Sequence, residues 1–144
     1  MTPRTEATES GTVDLTVVGR VRSTLRSLDR APRQGDEGAP NAWIDVDPRF
    51  AAALDGLAAG DDVIVVTWLD RARRDILEVH PRNDPSTPLT GVFATRSPHR
   101  PNPLGMHRVT IRTIDGTHLL VGPIEAVHDT PVVDIKIALD DRDR

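Results

Sequence analysis

The sequence predicts an all-β chain folded as an antiparallel barrel or sandwich, with one short helix. Three observations carry that prediction. Seven or so short runs of β-branched and aliphatic residues recur between turn-forming residues, one segment alone carries helix-start chemistry, and no strand–helix–strand alternation is present. The length of 144 residues fits one domain. Aromatic residues make up 3% of the chain (Trp43, Phe50, Trp68 and Phe93), so the core has to be built from Val, Ile, Leu and Ala, a bias toward strands.

Taken in order, residues 1–12 have the composition of a disordered lead-in, residues 13–138 form the domain, and residues 139–144 are a charged tail. Val13, Leu15 and Val17 alternate as in a strand, and apolar character continues through Val21, interrupted at Gly19. A polar loop rich in Arg, Pro, Gly and Asp spans residues 22–41. Loops beyond about 12–15 residues are uncommon unless functional or disordered. Residues 42–46 read as a short strand. Asp47 and Pro48 then supply an N-cap and a first-turn proline for a helix running to about residue 55, with Phe50, Ala53, Leu54 and Leu57 inward and a turn at Gly60. Residues 62–69 are apolar on both faces and read as a central strand. A charged turn at 71–75 leads to a strand at 76–79, ended by Pro81, a polar loop at 82–88 and a strand at 90–95. Residues 97–103 hold three prolines, which remove donors and force extended geometry. A strand at 104–114 turns at Asp115 and Gly116, a type I′ hairpin signal needing positive φ at both central residues, and residues 117–121 pair back. Residues 132–137 are the last strand.

Composition excludes several chemistries. The chain has no cysteine, hence no disulfide, thiolate metal site or Cys nucleophile, in keeping with a reducing compartment. No apolar run approaches the roughly 20 residues of a membrane span, and residues 1–11 hold no apolar signal core, so the expectation is a soluble cytoplasmic protein without membrane association. The net charge of -4 does not by itself point to nucleic acid. There is no G-x-G-x-x-G, no phosphate-binding G-x-x-x-x-G-K-[ST] loop and no H-E-x-x-H, and the five histidines are scattered, so no metal site is expected.

The most informative stretch is GVFATRSPHRPNPLG, residues 91–105. A strand delivers the chain into a proline-stiffened loop that pre-positions Thr95, Arg96, Ser97, Arg100 and Asn102. This string resembles the signature of the TsaA-like family, whose best-known members are the TrmO tRNA methyltransferases, G-[VI]-F-A-T-R-S-x-x-R-P-N-P-[IL]-G. Three further blocks are similar and in the same order. GRVRS at 19–23 resembles G-x-[IV]-x-S, Pro32-Arg33-Gln34 resembles P-R-Q, and TPVVDIK at 130–136 resembles T-P-V-[LV]-D-I-K. The chain departs from the family at His128 and Asp129, where D-G is usual, at Ile137 and Ala138, where P-Y is usual, and at Asp70, where many members carry His.

The resemblance implies a single-sheet antiparallel β-barrel, S-adenosylmethionine as cofactor, and a homodimer with the cofactor pocket near the interface. It implies methylation of N6 of threonylcarbamoyladenosine beside the tRNA anticodon, at position 37. On that basis the backbone of Phe93, Ala94, Thr95, Arg96 and Ser97, with Leu104, Gly105 and Met106, cradles the cofactor. Arg33 and Gln34 reach in from the long loop, Asn102 belongs to the same loop, and Asp134 and Lys136 complete the pocket. Arg96 and Arg100 orient carboxylate or other negative groups, a task suited to bidentate Arg. Arg96 and Asp134 are the candidate catalytic residues. An acceptor nitrogen must shed a proton, for which Asp134 or a bound water is the candidate. Arg71, Arg73 and Arg74, near Arg82, are the candidate phosphate-tracking patch, with His128 on the substrate side. Two other readings stay open, a small-molecule methyltransferase on the same scaffold and a non-catalytic cofactor-binding module.

Overall fold

The computed structural model describes residues 11–26 and 38–139. Eight strands are present among them: β1 (Gly19–Arg22), β2 (Ala42–Val46), β3 (Asp62–Trp68), β4 (Glu78–Val79), β5 (Thr90–Gly91), β6 (Leu104–Asp115), β7 (His118–Gly122) and β8 (Pro131–Ile137). Six of them close one antiparallel barrel in the order β1-β2-β7-β6-β3-β8, and β8 returns to β1 through Gly19↔Val132. β4 and β5 form a separate two-stranded ribbon. The prediction of a single antiparallel barrel holds.

The alternation that marks these strands in the sequence sorts their side chains. Val63, Val65 and Thr67 of β3 point inward, as do Gly105, His107, Val109 and Ile111 of β6. With Val21, Ile44, Leu119, Val121, Ile124 and Val132 they fill the barrel. Each buried Val, Leu or Ile contributes about 1.5–3 kcal/mol relative to an exposed one. The intervening residues Leu104, Met106 and Arg108 of β6, and Asp134 and Lys136 of β8, point outward. One end of the barrel, here the upper end, carries Trp68, Leu104, Gly122 and Pro131. The lower end carries Val46, Asp62, Asp115 and Ile137.

Several local expectations are corrected. Regular pairing begins at Gly19, not at residue 13, and residues 11–17 lie exposed with no strand partner. The predicted helix is a run of 3₁₀ turns, Pro48–Leu54, broken at Phe50. Asp47 caps it as expected, its carboxylate accepting the Arg49 N–H at 2.9 Å. So short a segment gains little from helix propagation, and its position is set by Phe50, Leu54 and Leu57 packing over the lower end. Ala53 is exposed rather than inward. The predicted strand at 90–95 is two residues of β5 followed by a 3₁₀ turn, Val92–Ala94. In the β6–β7 hairpin the central residues are Gly116 and Thr117, and of these only Gly116 has positive φ (63°), the residue that accepts it without steric cost. Arg33 and Gln34 lie outside the described residues, as does almost all of the lead-in and the tail. No helix among the described residues is long and apolar enough to cross a membrane.

Candidate functional site

The proline-rich string folds at the upper end as a loop clamped from within. Arg100 donates from Nε to the Ser97 carbonyl at 2.8 Å, and from Nη2 to the Val92 and Thr95 carbonyls, both at 2.6 Å. One guanidinium thus gathers the carbonyls of Val92, Thr95 and Ser97, and the Thr95 N–H closes the turn at residues 92–94 on the Val92 carbonyl at 3.0 Å. The Thr95 hydroxyl donates to the Val92 carbonyl and accepts the Ser97 N–H. Downstream, Pro103 is fully buried, and its carbonyl accepts the Leu69 N–H at 2.8 Å.

Arg74 fastens this loop to β3. Its guanidinium lies 5.0 Å from the centre of the Trp68 ring, donates to the Pro101 carbonyl at 2.7 Å and reaches Asn102 Oδ1 at 3.2 Å. Arg73 is joined to Asp75 at 2.8 Å, and that guanidinium holds the Asp75 carboxyl below its usual range. The Arg73 backbone N–H donates to His99 Nδ1. Arg71 donates to the Arg26 carbonyl at 3.0 Å. Three arginines expected on the substrate side therefore spend donors on the protein itself.

Of the cofactor candidates, Leu104, Met106, Asp134 and Lys136 lie on one outward strip of β6, β3 and β8. Register sets Leu104 beside Trp68, and Met106, Val66 and Asp134 in one row across the three strands. Met106 and Asp134 thus stand two strand spacings apart, roughly 10 Å. In the next row Lys136 lies beside Ile64 and 3.7 Å from Asp134. Arg96 crosses toward the strip and donates to the Met106 carbonyl at 3.1 Å. Apolar surface is exposed on the strip and in the loop: Met106 is 52% and Leu104 41% exposed, and Phe93 of the loop 87%. Apolar exposure gathered in this way marks a surface that something covers. Ala94 is exposed and Ser97 half-buried in the same loop.

His128 stands apart from that strip. Its Nδ1 accepts the Ser23 N–H at 3.2 Å, and its own N–H donates to the Leu25 carbonyl at 2.7 Å, so it anchors the chain leaving β1. The next residue, Asp129, has φ of 72°. The family's usual glycine at this place is explained by that left-handed backbone, which an Asp tolerates better than most side chains.

A buried polar chain under the signature loop was not anticipated. Thr67 Oγ1 lies 2.8 Å from His107 Nε2, and His107 Nδ1 lies 2.6 Å from Glu125 Oε1. Gly105 sits directly above it: a Cβ there would meet Thr67 Oγ1 at 2.5 Å and His107 Nε2 at 2.8 Å. The signal was present in the alternation of β6, which puts His107 in phase with inward Gly105 and Val109. No cluster of three or more His, Cys, Asp or Glu able to hold a metal occurs among the described residues.

A model of the tRNA-methyltransferase O N-terminal domain matches residues 20–144. A probable S-adenosyl-L-methionine-binding protein of Methanocaldococcus jannaschii is 45% identical over 98 residues, 65% of this chain and 78% of that one. A protein of the same description from Archaeoglobus fulgidus is 44% identical over 124 residues, 86% of this chain but 33% of its own length. A tRNA (adenine(37)-N6)-methyltransferase of Rattus norvegicus is 44% identical over 54 residues, 38% of this chain and 12% of that one. Among solved structures, TrmO from P. aeruginosa superposes with a TM-score of 0.74 at 28% identity, covering 94% of this chain and 59% of that one. The chain thus spans only part of several relatives. With the barrel, the signature loop and the family match in agreement, the chain belongs to the TsaA-like family of tRNA-methyltransferase O N-terminal domains.

Proposed function

We propose that this chain binds S-adenosylmethionine on the outward strip at the upper end of the barrel and methylates N6 of threonylcarbamoyladenosine at position 37 of tRNA, in the cytoplasm and as a homodimer. The observation that carries the reading is the carbonyl-clamped loop, which presents exposed Phe93 and sends Arg96 to the Met106 carbonyl on the outward strip of Leu104, Met106 and Asp134. These residues fit the cofactor: apolar side chains suit adenine, Arg96 suits the amino-acid carboxylate, and Asp134 suits a sulfonium. Bound there, the cofactor supplies a methyl group on a cationic sulfur. The protein's own work is positioning and deprotonation. Holding donor and acceptor in near-attack geometry accounts for about 7–11 kcal/mol of a typical barrier. Asp134 accepts the proton that the acceptor nitrogen sheds as the methyl bond forms. Relatives described as S-adenosyl-L-methionine-binding proteins and as a tRNA (adenine(37)-N6)-methyltransferase support the reading.

Transfer of labelled methyl to bulk tRNA from the native host, deprived of this gene, tests it. Label on the adenosine beside the anticodon is the expected result. Absence of label with cofactor binding retained overturns the tRNA assignment. One observation favours a second reading, a small-molecule acceptor: Arg73 and Arg74 are engaged by Asp75 and by Pro101 and Asn102, which leaves less free positive charge for phosphates. Salt separates the two, since tRNA binding weakens steeply with rising salt and binding of a small neutral acceptor does not. A cofactor-binding module without catalysis shows binding but no single-turnover transfer to either acceptor.

A further inference from the structure

The barrel is incompletely sealed along β8. β1 pairs with β8 only at Gly19↔Val132 and Arg20↔Pro131, whereas β8 runs on to Ile137 along β3. The Ala138 N–H donates to the Asp62 carbonyl, and the register sets Lys136 opposite Ile64 and Asp134 opposite Val66. In an antiparallel ladder, residues alternate between the two edges. Ile135 and Ile137 therefore turn their backbone groups to the other edge, where no strand among the described residues pairs with them. The Ile135 N–H instead takes Oδ1 of the preceding Asp134 at 2.9 Å, a local substitute for a ladder bond.

Beside that edge lies a cavity of about 230 Å³ lined by Val18, Phe50, Leu54, Leu57, Ile135 and Ile137, among others. The chain leading into β1 carries the matching chemistry. Val13, Leu15 and Val17 alternate with polar residues and are 85%, 51% and 38% exposed, which is a strand pattern without a sheet. Val18 is held on both sides, its N–H on the Val132 carbonyl and its carbonyl on the Asp47 N–H. Beyond Val18 the arm departs from the barrel instead of continuing alongside β8. An open edge next to an apolar cavity, and an amphipathic arm that its own barrel leaves uncovered, are complementary within one sequence.

We propose that residues 11–17 of a second copy of this chain dock as an added strand on the free edge of β8 at Ile135 and Ile137, with Val13, Leu15 and Val17 turned toward the cavity. A two-fold arrangement exchanges both arms and seals both barrels. An arm carbonyl takes the Ile135 N–H and releases Asp134 Oδ1 toward the outward strip. The docking rests on the homodimer proposed above and assigns its interface, and the last step rests as well on the role proposed for Asp134.

Sedimentation equilibrium of the full chain tests the docking independently of methyl transfer. The wild type is expected at the mass of two chains. The Val13→Asp, Leu15→Asp, Val17→Asp variant is expected at the mass of one, with its far-UV spectrum retained because the arm touches little of its own barrel, and with an unfolding transition that no longer depends on protein concentration. A wild type at single-chain mass at micromolar concentration, or a triple variant that stays dimeric, overturns the proposal. Because the chain has no cysteine, the Leu15→Cys, Ile137→Cys variant reports the route. A covalent dimer on oxidation supports exchange between copies, and a disulfide closed within one chain shows the arm folding onto its own edge and overturns it.

Discussion

Arg96 and Arg100 are four residues apart in one loop, yet they do different work. Arg100 is turned inward on the carbonyls of Val92, Thr95 and Ser97, whereas Arg96 is exposed and makes one bond, to the Met106 carbonyl. Replacing Arg96 with Ala is expected to weaken S-adenosylmethionine binding about 10- to 100-fold, the worth of one charge-assisted hydrogen bond, with the melting temperature unchanged. Titration calorimetry with thermal unfolding checks both halves, and unchanged affinity removes Arg96 from the site. Asp129 offers a test of the opposite sign. Its φ of 72° favours glycine, and its ion pair with Arg20 spans 4.0 Å between exposed groups, so little is lost with the side chain. Asp129→Gly is expected to raise stability by about 0.5–1 kcal/mol, read from the urea midpoint.

β6 links the candidate site to the barrel core. Its outward residues Leu104 and Met106 border the strip, while inward His107 joins β3 through Thr67 and the β7–β8 connection through Glu125. The Glu125 carboxylate accepts from Nδ1–H, and the Thr67 hydroxyl, which can donate or accept, pairs with Nε2. Glu125→Ala leaves the nearly buried Nδ1–H without its acceptor and is expected to cost about 1.5–3 kcal/mol, with an unchanged denaturant slope. A smaller loss in urea denaturation shows that water or a rearranged side chain replaces the carboxylate. The β6 alternation made the inward face of this strand legible, including the phase of His107. The partners were not legible, because Thr67 and Glu125 lie 40 and 18 residues away and only barrel closure brings them together.

Across the whole molecule, the outer face of β1, β2 and β7 carries a second polar cluster. Arg22 holds Asp45 through two bonds at 2.8 and 2.9 Å, and His118 Nδ1 meets the same carboxylate at 2.7 Å. The Arg22 hydrogen bond, with His118 adding to it, keeps the Asp45 carboxyl below its ordinary range. A carboxyl whose folded pKa is depressed contributes stability above its unfolded value, near 4, and that contribution fades as pH falls through the folded value. Asp45→Asn is therefore expected to lower stability at neutral pH and to flatten the acid limb below about pH 4; an acid limb of unchanged steepness in urea titrations removes Asp45 as a source. What the sequence by itself determined was local or periodic: the barrel strands, the cap at Asp47, the irregular path of residues 97–103 and the family blocks, because alternation, proline and side-chain capping act over a few residues. The tertiary structure alone decided that residues 13–17 leave the barrel, that Arg74 and Arg100 serve the loop, and that Asp134 faces Met106 across β3. Those outcomes depend on strand register and on which carbonyls a guanidinium can reach, and both are set by closure of the sheet between residues distant in the chain.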